Sequence, residues 1–580
     1  MSTNGERPDG GELLARTLRE AGVDTVFALH GGHLEAFYRG CLKHGLSLLD
    51  FRHEAPAGNA ADAYARATGD LGVCVVTAGP GFANVMPAII NAQLDASPVL
   101  FIVGAPPLRE AETNPLQGGF DQVAVASPAT QWSHRVTNTE RIPDLTSQAI
   151  RKATRGRRGA VLLELPIDVL HLDAPESRVA LPAGLAPPPR PAPSPEDAER
   201  AVAILRQAER PVIIAGGDAR FSGCGAALQR FAERSGIPVF CNTRGMGLLP
   251  SGHPLDGHEA HNLAALGMME RPVPDTVLLL GARLGLFLGG RRGDVVPLDA
   301  RLIQVHSDAT EIGRLRDVEL PIAADARATL EAVDAASAES AWPDWSAWAQ
   351  EAVGLKALMA GMYPETDTDK GVHPFHAAAA VAEAVGPEAA WAIDGGEAAS
   401  WTSHHVRVSG PGRVASHGYL GCLGVGPGFA IGLQTAHPDR RVVHVTGDGA
   451  MGFHIQEFDT MVRHELPIVA VVMNNRVWGM SIHGQQIMYG SDYEVITRLG
   501  DTPYAEIARA FGCHGEVVER HADIAPAMQR ALDSGRPACV EIMVDGDVVH
   551  PGTIAMLGEA AADSGEVMMP YYENTPADER

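Results

Sequence analysis

Apolar residues recur along the chain in two alternating rhythms, helical spacing and short unbroken runs. GGELLARTLREAG sets Leu13, Leu14 and Leu18 at helical spacing, and DTVFAL reads as a short strand followed by a glycine pair. VCVVTAG (73–79) and VLFIVG (99–104) are continuous apolar runs closed by glycine, as strands buried on both faces of a parallel sheet must be. Strand, helix, strand at this spacing predicts a doubly wound α/β domain over residues 1–182. A Pro-rich extended linker is predicted over 183–195, ending in the helix start Ser194, Pro195, Glu196. A second α/β domain, 196–335, takes its strands from PVIIAGG (211–217), IPVFCN (237–242), TVLLLGARLG (276–285) and RLIQVHSD (301–308). ASAESAWPDWSAWAQEA reads as a looser connection at the head of a linker over 336–372. A third domain, 373–548, opens with HPFHAAAAVAEAVG and has the strands AAWAID (389–394), RVVHVTGDG (441–449), PIVAVVMNN (467–475) and ACVEIMVD (538–545). Residues 549–580 form a tail, so the predicted fold class is α/β: three doubly wound parallel-sheet domains plus a C-terminal tail.

The first and third domains rhyme. TAGPGFANVMPAIINAQLDASPVLFIVG and GVGPGFAIGLQTAHPDRRVVHVTGDG share a Gly-Pro-Gly-Phe turn, then a helix, then a strand. Two related folds in one chain would explain that.

Composition narrows the classes. At 580 residues the chain exceeds what one hydrophobic core can serve. A formal charge of −25 argues against a phosphate-tracking surface, which needs a basic face, so no nucleic-acid partner is expected. The seven cysteines are scattered without a CxxC pair, which reads as reduced thiols in a cytoplasm and not as a zinc or disulfide frame. No window approaches the ~18 apolar residues of a membrane span, and MSTNGERPDGGE lacks a signal-peptide core. A cytoplasmic protein with no membrane partner is the expectation.

The strongest chemical motif is GDG at 447–449 with Asn474–Asn475 beyond it. Each closes an apolar strand, and in a parallel sheet the carboxyl ends of strands face one ligand crevice. Asp448 and Asn475 then offer two hard oxygen ligands suited to Mg²⁺, which takes its remaining oxygens from phosphates and water. Gly447, Gly449 and Gly452 let the backbone approach a diphosphate, and a helix after Gly449 would point its amide dipole at it. A lone GDG is more simply a tight turn; the paired asparagines at a second strand end change that reading.

With GDG, about two dozen residues and then NN, the chain resembles the thiamine diphosphate enzyme family over nearly its whole length. The resemblance implies a pyrimidine-binding, a middle and a diphosphate-binding domain, with thiamine diphosphate and Mg²⁺ as cofactors. It implies that Asp448, Asn475 and the backbone carbonyl of Val477 hold the metal. It further implies that Gly395, Gly396, Gly447, Gly449, Ala450, Trp478, Gly479 and Met480 line the cofactor. In FRHEAPAGNAADAYAR, Glu54 stands where the family's glutamate hydrogen-bonds N1′ of the aminopyrimidine. Sharing a proton there lets the 4′ nitrogen remove the thiazolium C2 proton. Read alone, Glu54 is a helix-start carboxylate favoured by the dipole. In HGYLGCLGVGPGF, Leu423 is the expected wedge between the cofactor's rings, with Leu420 as the rival and a plain core leucine as the third reading.

The finer pattern resembles the branch that holds benzaldehyde lyase and the bacterial 2-hydroxyacyl-CoA lyases, through LHGGH, RHEAPAGNAADAYAR, ETNPLQGGFDQVA, HGYLGCLGVG and EFDTMVRHELP. His30 and His33 bring two imidazoles to a strand end, where a neutral histidine can relay a proton of a substrate hydroxyl; capping or surface histidines are the other reading. Gln117 matches an active-site glutamine of that branch, or is a loop amide. Met480 and Leu116 would narrow the pocket toward small aliphatic chains, and Glu494 is an extra acid that, like His30 or His33, could take the substrate hydroxyl's proton in catalysis. Tyr571 and Tyr572 in the tail suit a segment folding over the site mouth, and Arg283, Arg291 and Arg292 could meet CoA phosphates. Together these imply a carbon–carbon lyase that cleaves a short 2-hydroxyacyl-CoA to an aldehyde or ketone plus formyl-CoA. Acyloin-type condensation is the reverse. The alternatives are a benzaldehyde-lyase-like carboligase on free 2-hydroxyketones, an acetolactate synthase, or a catalytically idle scaffold, which would lack Glu54, Asp448 or Asn475. The resemblance implies a homo-oligomer, a dimer or dimer of dimers, acting on a small molecule that is an acyl-CoA in the first reading.

Overall fold

The computed structural model describes residues 7–179, 181, 185, 189–339, 341–557, 566–567 and 575–576. Among them, three six-stranded sheets carry the chain. The first comprises β1 (Thr25–Ala28), β2 (Ser47–Asp50), β3 (Gly72–Val76), β4 (Val99–Ala105), β5 (Trp132–Arg135) and β6 (Ala160–Pro166), in the order β2-β1-β3-β4-β6-β5. The second comprises β7 (Pro211–Ala215), β8 (Val239–Cys241), β9 (Asp256–Glu259), β10 (Thr276–Leu280), β11 (Arg301–Val305) and β12 (Leu320–Ile322), in the order β12-β11-β10-β7-β8-β9. A short antiparallel pair, β13 (Asp367–Thr368) with β14 (Gly371–Val372), precedes the third sheet. That sheet comprises β15 (Ala390–Ile393), β16 (Val414–Ser416), β17 (Val442–Gly447), β18 (Val469–Asn474), β19 (His514–Val518) and β20 (Ala538–Met543), in the order β16-β15-β17-β18-β20-β19. Neighbouring strands within each six-stranded sheet run parallel. The fold class is the one expected from the alternation of runs.

Counted from its own first strand, the third sheet repeats the order of the first. The sequence rhyme therefore reflects a shared topology. The second sheet has the other doubly wound order, with three strands on each side of the break between β7 and β10.

The chain forms two compact units. One holds Met1–Pro188, His417–Asp439 and Phe453–Ile468; the other holds Pro189–Ser416, Arg440–Gly452 and Val469–Arg580. In the first unit the helix Glu54–Thr68 is buried along almost its whole length. Its small residues let two helices approach, Pro80–Leu94 and Gly426–Ala436, each opened by a Gly-Pro-Gly-Phe turn. A Cβ on Gly58 would stand 2.5 Å from Ala88 Cβ, and one on Gly432 only 2.2 Å from the Ala60 carbonyl oxygen. The C-terminal end of the buried helix is held by charge. Arg66 donates to Asp62 at 2.5 Å and to Asp95 at 2.9 Å, Asn91 donates to Asp62 at 3.0 Å, and the guanidinium lies 4.9 Å from the Phe429 ring centre.

In the second unit the stretch read as a looser connection is packed over its described residues 341–352. It contains the helix Ser346–Gly354, and Trp345 and Trp348 are buried in the core of the second sheet's domain. Their indole N–H groups donate to the carbonyls of Ala208 at 3.0 Å and Pro211 at 2.9 Å. Alternating small and aromatic residues disguised a helix capped by Trp345 whose buried face is Trp348, Ala349 and Ala352. The tail begins as a helix, Pro551–Leu557, and includes the antiparallel pair β21 (Glu566–Val567) with β22 (Thr575–Pro576). Tyr571 and Tyr572 lie outside the described residues. Six of the seven cysteines are buried thiols and Cys422 is half-buried; all are free. Among the described residues no helix is long and apolar enough to cross a membrane.

Candidate active site

Strand order reverses between β1 and β3 in the first sheet and between β15 and β17 in the third. In doubly wound sheets ligands bind outside the carboxyl ends of the strands at such a break. The turn after β1 carries His30 and His33, and the turns after β15, β17 and β18 carry Gly395–Gly396, Asp448 and Asn475.

In the first unit, the turn after β1 carries Leu29-His30-Gly31-Gly32-His33. Gly31 is needed because a Cβ there would meet Thr77 Cβ at 2.2 Å. His33 is buried, its Nδ1 lies 3.3 Å from Thr77 Oγ1, and that hydroxyl lies 3.4 Å from Gln117 Oε1. Burial pushes the imidazole pKa below its ordinary 6.5, against a smaller opposing effect of its hydrogen bond to the Leu116 backbone. It is a neutral imidazole beside a hydroxyl and an amide, a group able to accept a proton. His30 does not join it. Its ring is solvent-facing, pairs with Glu35 at 2.9 Å and stacks on Tyr38 at 5.3 Å between ring centres. The two imidazoles expected together are thus split, because the short helix starting at Gly32 turns His33 inward.

Gln117 adopts φ 55° in a loop that the sequence left unexplained. Gln122 secures that loop: its Oε1 accepts from the Gly79 N–H at 2.8 Å, and its Nε2 donates to Gly104 O and Glu164 Oε2, both at 3.0 Å. Leu116 is 74% exposed.

Glu54 opens the alanine-rich helix after His53, whose Nδ1 accepts from the Ala55 N–H at 3.1 Å. The carboxyl group is buried and receives the Asn84 side-chain amide at 3.0 Å. Leu423 is half-buried in a turn that His454 pins through Gly424 O at 2.8 Å, whereas Leu420 is exposed.

In the second unit, β15 ends at Ile393 and is followed by Asp394, by Gly395, whose φ of 96° suits only glycine, and by Gly396. β17 ends at Gly447, and the helix that follows begins at Asp448 itself and lasts four residues, to Met451. The helix expected after Gly449 is a single turn that starts one residue before it. Gly447 pairs in register with Met473 on β18, so Asp448 and Asn475 follow at adjacent strand ends. Burial pushes the Asp448 carboxyl pKa up to about 7, against smaller opposing effects of the nearby backbone N–H groups of Gly449, Arg476 and Asn475. Asn474 turns inward to Glu541 at 2.7 Å. Asn475 accepts the Val477 N–H at 3.2 Å across a turn in which Arg476 takes φ 61°. Trp478 lies flat against Gly449, where a Cβ would stand 2.4 Å from the indole ring, and a Cβ on Gly396 would stand 3.3 Å from Met480 Cβ.

These residues suit the expected groups. A carboxylate that burial destabilises is what a divalent cation would neutralise, and carboxylate, amide and carbonyl oxygens are the hard donors magnesium takes. Among the described residues no cluster of three or more His, Cys, Asp or Glu side chains forms a cage, so phosphate and water oxygens would complete the shell. At the end of β17 the face of Gly447 is the open one, since the nearest atom to a Cβ there is Ala398 Cβ at 3.7 Å, and it leaves backbone accessible to a diphosphate.

Glu494 stands on the exposed stretch after the helix Gly479–Tyr489 and is held by Arg498 at 2.6 Å and Gln486 at 3.2 Å. The Arg498 hydrogen bond keeps its pKa below the usual glutamate value. Of the arginines considered for CoA, Arg283 is largely buried, 3.6 Å from Glu311, and so is already engaged; Arg291 and Arg292 are exposed.

Two polar groups were not foreseen. Glu397, next after Gly396, is buried and holds His483 at 2.8 Å and Thr553 at 2.7 Å. Asn84 belongs to the Gly-Pro-Gly-Phe helix, and only the repeat of that turn hinted at a role.

Three family models match the chain: the N-terminal thiamine pyrophosphate binding domain over residues 8–125, the central domain over 198–333 and the C-terminal thiamine pyrophosphate binding domain over 394–542. A probable acetolactate synthase of Mycobacterium bovis is 34% identical over 545 residues, covering 93% of this chain and 96% of its own. A 2-hydroxyacyl-CoA lyase 2 of Homo sapiens is 30% identical over 591 residues, covering 94% and 92%. The chain belongs to the thiamine pyrophosphate enzyme family.

Proposed function

We propose that this thiamine diphosphate-dependent enzyme is a carbon–carbon lyase acting on a short 2-hydroxyacyl-CoA, and that magnesium anchors the cofactor through Asp448, Asn475 and Val477 O. Thiamine diphosphate, when bound, would supply a carbon nucleophile and an electron sink for bond cleavage. Glu54 exchanges a proton with the cofactor's pyrimidine. His33 accepts the proton of the substrate's 2-hydroxyl as the bond between carbons 1 and 2 breaks, and an aldehyde or ketone departs. Gln117 hydrogen-bonds the substrate oxygen, and the one-carbon remainder, once protonated, leaves as formyl-CoA.

The observation that carries this reading is the buried His33 beside Thr77 and Gln117, a proton acceptor at the sheet's ligand-binding break. The likeness to the human 2-hydroxyacyl-CoA lyase 2 adds support. A second reading, acetolactate synthesis from two molecules of pyruvate, is favoured by the likeness to the mycobacterial acetolactate synthase. The reading includes a homo-oligomer, a dimer or dimer of dimers, in a cytoplasmic setting.

Presenting the enzyme with a 2-hydroxyacyl-CoA and, separately, with pyruvate separates the two. Carbonyl product with formyl-CoA from the first, and no acetolactate from the second, is the expected outcome. Acetolactate from pyruvate with the thioester untouched would overturn it.

A further inference from the structure

Glu397 is the first residue of the helix Glu397–His405, directly after the Gly395–Gly396 turn. Its carboxylate accepts from His483 at 2.8 Å, from Thr553 Oγ at 2.7 Å and from the His550 N–H at 3.3 Å. His483 is 1% exposed and offers its other ring nitrogen to Gly546 O at 2.8 Å. A neutral imidazole has one N–H, so satisfying two acceptors takes the imidazolium. Burial alone would lower the His483 pKa, yet Glu397 and Gly546 outweigh it and the pKa is raised. His550, the neighbouring imidazole, is driven down to about 4 by burial and stays neutral. A Cβ on Gly479 would stand 3.0 Å from Glu397 Oε2 and 3.2 Å from Asn475 Nδ2, so the carboxylate lies against the turn that carries the proposed metal ligands.

We propose that Glu397 is a positioning residue: with His483 and Thr553 it fastens the Gly395–Gly396 turn, the turn 475–479 and the start of the C-terminal segment to one point, and so presets the cradle for the magnesium–diphosphate group. The proposal rests on the reading of those two turns as that cradle. A carboxylate is required because a buried imidazolium without a counter-charge is costly. Glutamine at this position would leave that charge unpaired.

The test measures binding of Mg²⁺ with thiamine diphosphate by calorimetry in the wild type, Glu397→Gln, His483→Asn, the double variant and Thr553→Val, alongside limited proteolysis of each without cofactor. Loss of a group that orients ligands costs ~10–100-fold in metal affinity. A loss of that order is expected for Glu397→Gln, with little added in the double variant and with the affinity loss exceeding any fall in kcat at saturating cofactor. Faster cleavage within 546–557 is expected for Glu397→Gln and Thr553→Val. Additive losses, or unchanged affinity and cleavage in Glu397→Gln, would overturn the proposal. Should that variant fail to fold, Thr553→Val decides: unchanged cleavage and affinity overturn it. If mutating Asp448 leaves cofactor binding intact, the cradle reading itself fails; proteolysis without cofactor still judges the fastening.

Discussion

Asn84 donates its side-chain amide to Glu54 at 3.0 Å, reaching from one Gly-Pro-Gly-Phe helix to the acid at the head of the helix beside it. The contact fixes the orientation of a buried carboxyl group whose proposed work depends on where its oxygens point. Asn84→Ala leaves that acceptor without its donor, a loss of about 1–3 kcal/mol for a buried group. Turnover is expected to fall roughly 10-fold, at about 1.4 kcal/mol per decade, and the unfolding temperature by about 2–4 °C per kcal/mol lost. Steady-state kinetics beside a thermal melt check it; an unaltered kcat/KM would remove Asn84 from the account.

The close approach of the helix Gly426–Ala436 to the Glu54 helix is intolerant of a methyl group. Gly432→Ala would place a Cβ 2.2 Å from the Ala60 carbonyl oxygen, and overpacking of this kind costs roughly 1–3 kcal/mol. Gly354→Ala is the control: a Cβ at this helix end meets nothing within 4 Å, so stability should hold or rise. Denaturant midpoints compare the two.

Arg66 is buried between Asp62 and Asp95. Burial opposes its charge, but the two carboxylates outweigh this and raise its pKa. Arg66→Met strands two buried carboxylates, and breaking such a network costs about 3–5 kcal/mol. The variant is expected to unfold at a markedly lower denaturant concentration.

His33 sets a pH dependence. Burial is the largest influence on it and lowers its pKa from 6.5, and only the neutral ring accepts a proton. The enzyme should therefore keep its kcat/KM through pH 6.5 and lose it on acidification through a midpoint below that value. His33→Ala should lower the rate roughly 10²–10⁴-fold, the usual contribution of a positioned base, and abolish that limb of the profile. A midpoint above 6.5 would contradict the burial argument.

The parts of the fold that could be read from the sequence were those in which one strand carries its own signature. β4 and β10, buried along their whole length, show as unbroken apolar runs. β2, β5 and β19 do not: SLLD, WSHR and HGEVV are edge strands half open to solvent, so burial did not purge their polar residues. The Asp448–Asn475 juxtaposition was legible because each residue directly follows its own apolar strand. The Glu397–His483 pair was not, since its members lie 86 positions apart and neither stands in a motif. The seating of Gly426–Ala436 on the Glu54 helix escaped for a related reason. The sequence shows the glycines, but only the fold shows which backbone they meet.

The role of Glu54 as the acid that activates the cofactor is measured directly by deuterium exchange at the cofactor's C2 position in wild type and Glu54→Gln, with cofactor binding confirmed in both. The variant is expected to exchange at least ~10²-fold more slowly, the lower end of what a positioned acid or base contributes. Exchange at the wild-type rate with cofactor bound would contradict the role assigned to Glu54.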